Sequence, residues 1–135
     1  MFPATLFTAG ALGILLFVLS YRVVQMRLSG KILIGDGGNE AMLYRQRAQA
    51  NFTEYVPLVL ILLGLIEGSF AGDTPLTVWA AGLVFIVARV LHAWGMTITA
   101  PNKPRIFGTV FTAGTVIVLS VWAIIIAAGL AFAEP

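Results

Sequence analysis

Arg47, Asn51 and Glu54 stand at i, i+4 and i+7, so a helix brings a guanidinium, an amide and a carboxylate onto one face, with Tyr44 one turn before and Tyr55 beside them. Arg89 and His92, at i and i+3, offer a second polar face. Arg105 follows Pro104 in the first turn of a further helix, where unpaired backbone N–H groups and the helix dipole already favour an anion. A guanidinium there is costly unless a negative group docks, so an anionic ligand is its natural partner. Ionic faces of this kind bind or transport solutes when they line a wet cavity. Two plainer readings use the same residues. Arg47 can pair with Glu54 through a bridging Asn51 and simply lock helices together, and His92 can be a neutral interior imidazole bonded to a carbonyl.

The elements that must position these groups are apolar. Of 135 residues, 59% are hydrophobic and only 10% charged, where a soluble domain carries roughly 25% charged residues. With a mean hydropathy of +0.96, much of the exterior must face lipid. Cysteine is absent, which excludes disulfides and thiolate chemistry from the chain itself, and a single histidine argues against an all-protein zinc site. The pattern predicts an all-α integral membrane four-helix bundle in a single domain over 1–135, with helices over 3–27, 40–68, 75–98 and 104–133. Arg22 and Arg27 follow the first apolar run instead of preceding it, which reads as a retained span and not a signal peptide.

Punctuation residues set the boundaries. Gly35-Asp36-Gly37-Gly38 is a turn, and Asn39 caps the helix that begins at Glu40. The uncharged part of that helix, Tyr55 to Ile66, is too short to span, so Asn51 and Glu54 are drawn toward membrane depth. Pro57 is expected to kink it mildly. Thr74-Pro75 reads as a capping hydroxyl with proline at the first helical position, and Gly64 with Gly68 forms a GxxxG. All eight Lys and Arg fall at one end of such a bundle, with Glu67, Asp73 and Glu134 at the other. The positive-inside rule then puts both termini outside and the first and third connections in the cytoplasm. Basic loops beside anionic lipid account for the high pI without a nucleic-acid partner.

The run Arg47-Ala48-Gln49-Ala50-Asn51-Phe52-Thr53-Glu54-Tyr55-Val56-Pro57 resembles the signature of the MAPEG family, membrane-associated proteins in eicosanoid and glutathione metabolism. Arg89-Val90-Leu91-His92 and the helix plan extend the resemblance over nearly the whole chain. It implies a homotrimer with glutathione, as co-substrate, folded between neighbouring subunits near the cytoplasmic side. By the resemblance, Arg47 and Asn51 hold its carboxylate and amide groups, Glu54 its amino group, and Tyr55, Arg89 and His92 contribute to the same pocket. Arg105 corresponds to the arginine that stabilises the thiolate and is the catalytic candidate. No metal is implied. Arg27 is a further candidate in the first connection, outside this principal set.

Two departures bear on activity. Met96 and Ile106 occupy positions where members carry tyrosine and serine, and His92 stands where leukotriene-synthase-like members have tyrosine, although prostaglandin-synthase-like members share the histidine. Eicosanoid synthesis is therefore not expected. The expected function is a glutathione-dependent transferase or peroxidase acting on lipophilic electrophiles that enter from the bilayer. The alternative is a lipid-binding or scaffold protein on the same fold. A proton-coupled exporter would want an acidic residue in the first helix, which has none. The simple plan and lack of targeting signals favour a bacterial inner membrane over a microsomal one.

Overall fold

Four long, predominantly apolar stretches become four helices. The computed structural model describes residues 1–98 and 101–133, with α1 over Pro3–Gly30, α2 over Glu40–Gly68, α3 over Leu76–Gly95 and α4 over Lys103–Ala133. All four are long and apolar enough to cross a membrane, and no strand occurs among the described residues. The protein is an all-α integral membrane protein. Glu134 lies outside the described residues.

α2 and α3 form the central pair: each packs on the other and on both outer helices, whereas α1 and α4 do not touch. The buried seam runs through Leu12, Val59, Leu63, Phe85 and Leu119. α4 leaves a broad apolar surface bare, including Ile117, Val121, Ile124 and Ile125. Such a surface is stable only against lipid or another apolar protein face.

The helix ends show where local signals held and where distant partners overrode them. Asn39 caps α2 as its type predicts, accepting from the Met42 N–H at 3.1 Å. α1 runs a turn beyond the expected 3–27, because Lys31 and not Gly30 takes the left-handed conformation (φ 51°) that ends it. Gly30 is small for another reason: a Cβ there would fall 3.0 Å from the Ile32 side chain. α2 continues through Pro57, and the first connection turns on Gly35, Gly37 and Gly38, all at positive φ. α3 ends at Gly95, short of the expected residue 98.

At the start of α3 the expectation fails. Pro75 is extended (ψ 147°) and precedes the first helical residue, Leu76, while the Thr74 hydroxyl donates not to its own helix but to Glu67 Oε1 at 2.7 Å. Glu67 itself is only 3% exposed. Its carboxylate also accepts from the backbone N–H groups of Ala4 (3.0 Å) and Thr5 (2.8 Å) and from the Thr5 hydroxyl (2.6 Å). α1 has no side-chain cap of its own, so an acid from the end of α2 caps it, placing negative charge on a positive helix terminus. Glu67→Ala is expected to strand these donors and destabilise the fold by ~2–3 kcal/mol, read as a lowered Tm in detergent. Glu67→Gln should recover part of the loss, because one amide oxygen still accepts.

Candidate functional site

The polar layer forms where α2, α3 and α4 meet, at the end of the bundle that carries the basic residues. Arg89 of α3 is its centre and is 1% exposed. Its Nη2 donates to Asn51 Oδ1 on α2 at 2.9 Å and its Nη1 to the Thr112 hydroxyl on α4 at 3.2 Å, while Nη2 also lies 3.5 Å from His92 Nδ1. The guanidinium carbon stands 5.6 Å from the centroid of the Phe52 ring, a cation–π contact. One side chain thus ties three helices together. Its Nε has no hydrogen-bond partner among the described residues.

Close helix approach makes this possible. Gly95 of α3 faces the Arg105 backbone and Gly108 of α4 faces the His92 backbone, so that any Cβ at either glycine would overlap main chain. Asn102 fixes the junction. Its Oδ1 accepts from the Arg105 N–H at 3.0 Å, capping α4, and its Nδ2 donates to the carbonyls of Gly95 (2.9 Å) and Ile98 (3.3 Å) at the end of α3. The Arg105 N–H is therefore not among the free donors expected at this terminus, and what remains to attract an anion is the guanidinium and the dipole.

Around this junction lies a cavity of about 350 Å³, bordered by Glu40, Arg47, Asn51, Glu54, His92 and Arg105, with Tyr44 and Met96 on its wall. That volume is at the lower end for small-molecule sites, roughly 300–1,000 Å³. The side chains of Arg47, Glu54 and Arg105 form no hydrogen bond or ion pair among the described residues. The helix-locking reading, an Arg47–Glu54 pair bridged by Asn51, is not what the chain adopts: Asn51 is held by Arg89 and the two charges stay unpaired. Because Asn51 Oδ1 is occupied by Arg89, its amide NH2 is the group left to face a solute, and it can only donate.

Of the seven residues singled out by the sequence, Arg47, Asn51, Glu54, His92 and Arg105 border one cavity. Two do not. Arg89 is enclosed behind Asn51, and Tyr55 is half-buried against the apolar core. Arg27 is engaged elsewhere, its Nη1 donating to the Leu33 carbonyl at 3.1 Å to close the first connection. Asn102 and Thr112 were not anticipated. An asparagine just ahead of a helix start is a recognisable cap signal, whereas nothing local marks Thr112 as the partner of an arginine 23 positions away. A larger cavity of about 740 Å³ at the opposite end, between α2 and α4, is bordered by Leu62, Leu65, Ile124 and Leu130 among others and holds no ionisable side chain.

Comparison with known proteins places the chain in a family. The chain is similar to the inner membrane protein YecN of Escherichia coli, 29% identical over 82 residues in both strain K12 and strain O6:H1. The alignment spans 61% of this chain and 61% of the length of those relatives. The MAPEG family model matches residues 5–126, which takes in α2 and α3 whole, most of α1 and α4, and every residue bordering the polar cavity. With that match over most of its length, the chain belongs to the MAPEG family.

Proposed function

We propose that the protein is a glutathione-dependent transferase or peroxidase acting on lipophilic electrophiles, with the 350 Å³ cavity as its glutathione site. The observation that carries this reading is that Arg47, Glu54 and Arg105 border one cavity without neutralising one another. A tripeptide with two carboxylates and one ammonium needs forked cationic donors and an anionic acceptor, and this wall holds both. Arg47 and the Asn51 amide take carboxylate and carbonyl oxygens, Glu54 takes the ammonium, and Arg105 at the α4 terminus stabilises the thiolate. A positive group and a helix dipole lower a thiol pKa, raising the nucleophilic fraction at neutral pH. The thiolate sulfur then bonds the electrophilic carbon, which either expels its leaving group with the bonding electron pair or, at an activated double bond, passes that pair to the adjoining carbon, which takes a proton from water.

Arg89 acts in this reading through Asn51, as a positioning residue. The open apolar face of α4 suits assembly into a homotrimer, which would complete the cavity from a neighbouring subunit. An inner-membrane location follows the name of the E. coli relative, and the positive-inside rule would put the polar cavity on the cytoplasmic side, where glutathione is plentiful.

Millimolar glutathione is expected to raise the Tm of the detergent-solubilised protein by about 5 °C, and Glu54→Gln should abolish most of that rise. An unchanged Tm would remove the basis of the proposal. The second reading, a lipid-binding or scaffold role, rests on Met96 and Ile106, which contribute no hydroxyl near the cavity. Glutathione binding without faster conjugation of a hydrophobic electrophile would favour it.

A further inference from the structure

At the same end of the bundle, a separate cavity of about 460 Å³ opens between α1, α2 and α3, bordered by Arg22, Glu40, Tyr44, Arg45, Met96 and Thr97. Tyr44, Glu40 and Met96 border both polar cavities and form the partition, but Arg22 and Arg45 face only this one, as Arg47 and Arg105 face only the other. We propose that this cavity binds a phosphate group, gripped by the guanidiniums of Arg22 and Arg45.

Arg45 donates from Nη1 to the backbone carbonyl of Arg22 at 2.9 Å, a bond across 23 positions that sets its guanidinium against the α1 residue bearing the other. The rest of the Arg45 fork and the whole of the Arg22 side chain have no protein acceptor among the described residues. The one acid on the wall, Glu40, accepts from the Tyr44 hydroxyl at 3.3 Å and pairs with neither arginine. Two half-buried cations are thus held side by side with their counter-charge directed elsewhere, an arrangement that repels itself until an anion bridges it. A carboxylate has two oxygens and saturates one fork. A phosphate has enough to serve both.

The phosphate can belong to a lipid headgroup or to a soluble molecule. Basic pockets between membrane helices are known to hold headgroups, and the outer face of α1 beside Arg22 offers a track for an acyl chain. Exposed Val18 lies one turn from Arg22 on the same face, and exposed Phe17 and Tyr21, stacked at 6.2 Å, lie further round the helix.

The test uses the full chain in detergent, titrated with short-chain phosphatidylglycerol and, separately, with inorganic phosphate, reading Tm. At least one probe should stabilise the protein. Arg22→Gln should weaken that response about ten- to a hundredfold in midpoint concentration, since a charge-assisted contact is lost while no intraprotein bond of Arg22 is touched. Lys31→Gln, which removes an equal charge at the same end but away from the cavity, should leave the midpoint unchanged. Response to the lipid alone assigns a headgroup, and response to inorganic phosphate as well assigns a soluble phosphate. No stabilisation by either probe, an Arg22→Gln response equal to that of the unmodified chain, or equal weakening by Lys31→Gln would overturn the proposal. The glutathione response of Arg22→Gln, read in the same assay, keeps this outcome distinct from the fate of the neighbouring site.

Discussion

Arg105→Ala is expected to lower glutathione conjugation by ~10²–10³-fold while leaving the Tm of the protein unchanged or slightly raised. The two halves of this result have separate causes. Arg105 stands in the first turn of α4 (Lys103–Ala133), borders the polar cavity, and its guanidinium is bonded to nothing in the protein among the described residues. A cation at a helix N-terminus opposes the dipole, so its removal favours α4 by roughly 0.3–1 kcal/mol. What is lost is the charge that keeps a bound thiol ionised. The ultraviolet absorbance of the thiolate on glutathione binding should therefore fall with the rate. Arg105→Lys should land between the two, because an ammonium keeps the charge and loses the fork. A variant that conjugates at the unmodified rate would move the chemistry elsewhere.

Gly108→Ala is expected to cost stability of ~1–3 kcal/mol and most of the activity, although it adds only a methyl group. A Cβ at Gly108 would stand 2.7 Å from the His92 Cα, and main chain cannot move aside as a side chain can. α4 must back away from α3. That same interface presses Arg105 against Gly95 and carries the Arg89–Thr112 bond, so separation disturbs both the thiolate-stabilising group and the brace behind Asn51. Gly114→Ala on the same helix is the control. Nothing lies within 4 Å of a Cβ there, and replacing an interior helical glycine should be neutral or gain about 0.5–1 kcal/mol. Thermal melting of the two variants in one detergent should give shifts of opposite sign, or at least a clear fall for Gly108→Ala alone. Equal effects would mean that the α3–α4 approach is not set by this glycine.

The features legible without coordinates are those encoded over a few turns of chain. The i, i+4, i+7 spacing puts Arg47, Asn51 and Glu54 on one face whatever else the molecule does, and all three border the cavity. Asn39 caps α2 because its side chain reaches an N–H three positions on. Where a residue's partner lies far along the chain, local reading chose wrongly or chose nothing. Thr74 serves Glu67 in place of its own helix, and Glu67, placed by the sequence only at the end of the bundle away from the basic residues, is buried at the end of α1 by bonds that span more than sixty positions. Arg89 has the type and position of a ligand residue, yet the depth of its burial is decided by Thr112 and Phe52 from neighbouring helices.

The sequence by itself determined the solvent, the helix count and the composition of the polar layer, because bilayer thickness and the 3.6-residue period act on each segment alone. Tertiary structure decided which of those polar groups neutralise one another and which stay open. The reason is geometric: a guanidinium is satisfied by whatever acceptor the neighbouring helix presents within about 3 Å, and glycines such as Gly95 and Gly108 set how near that helix comes.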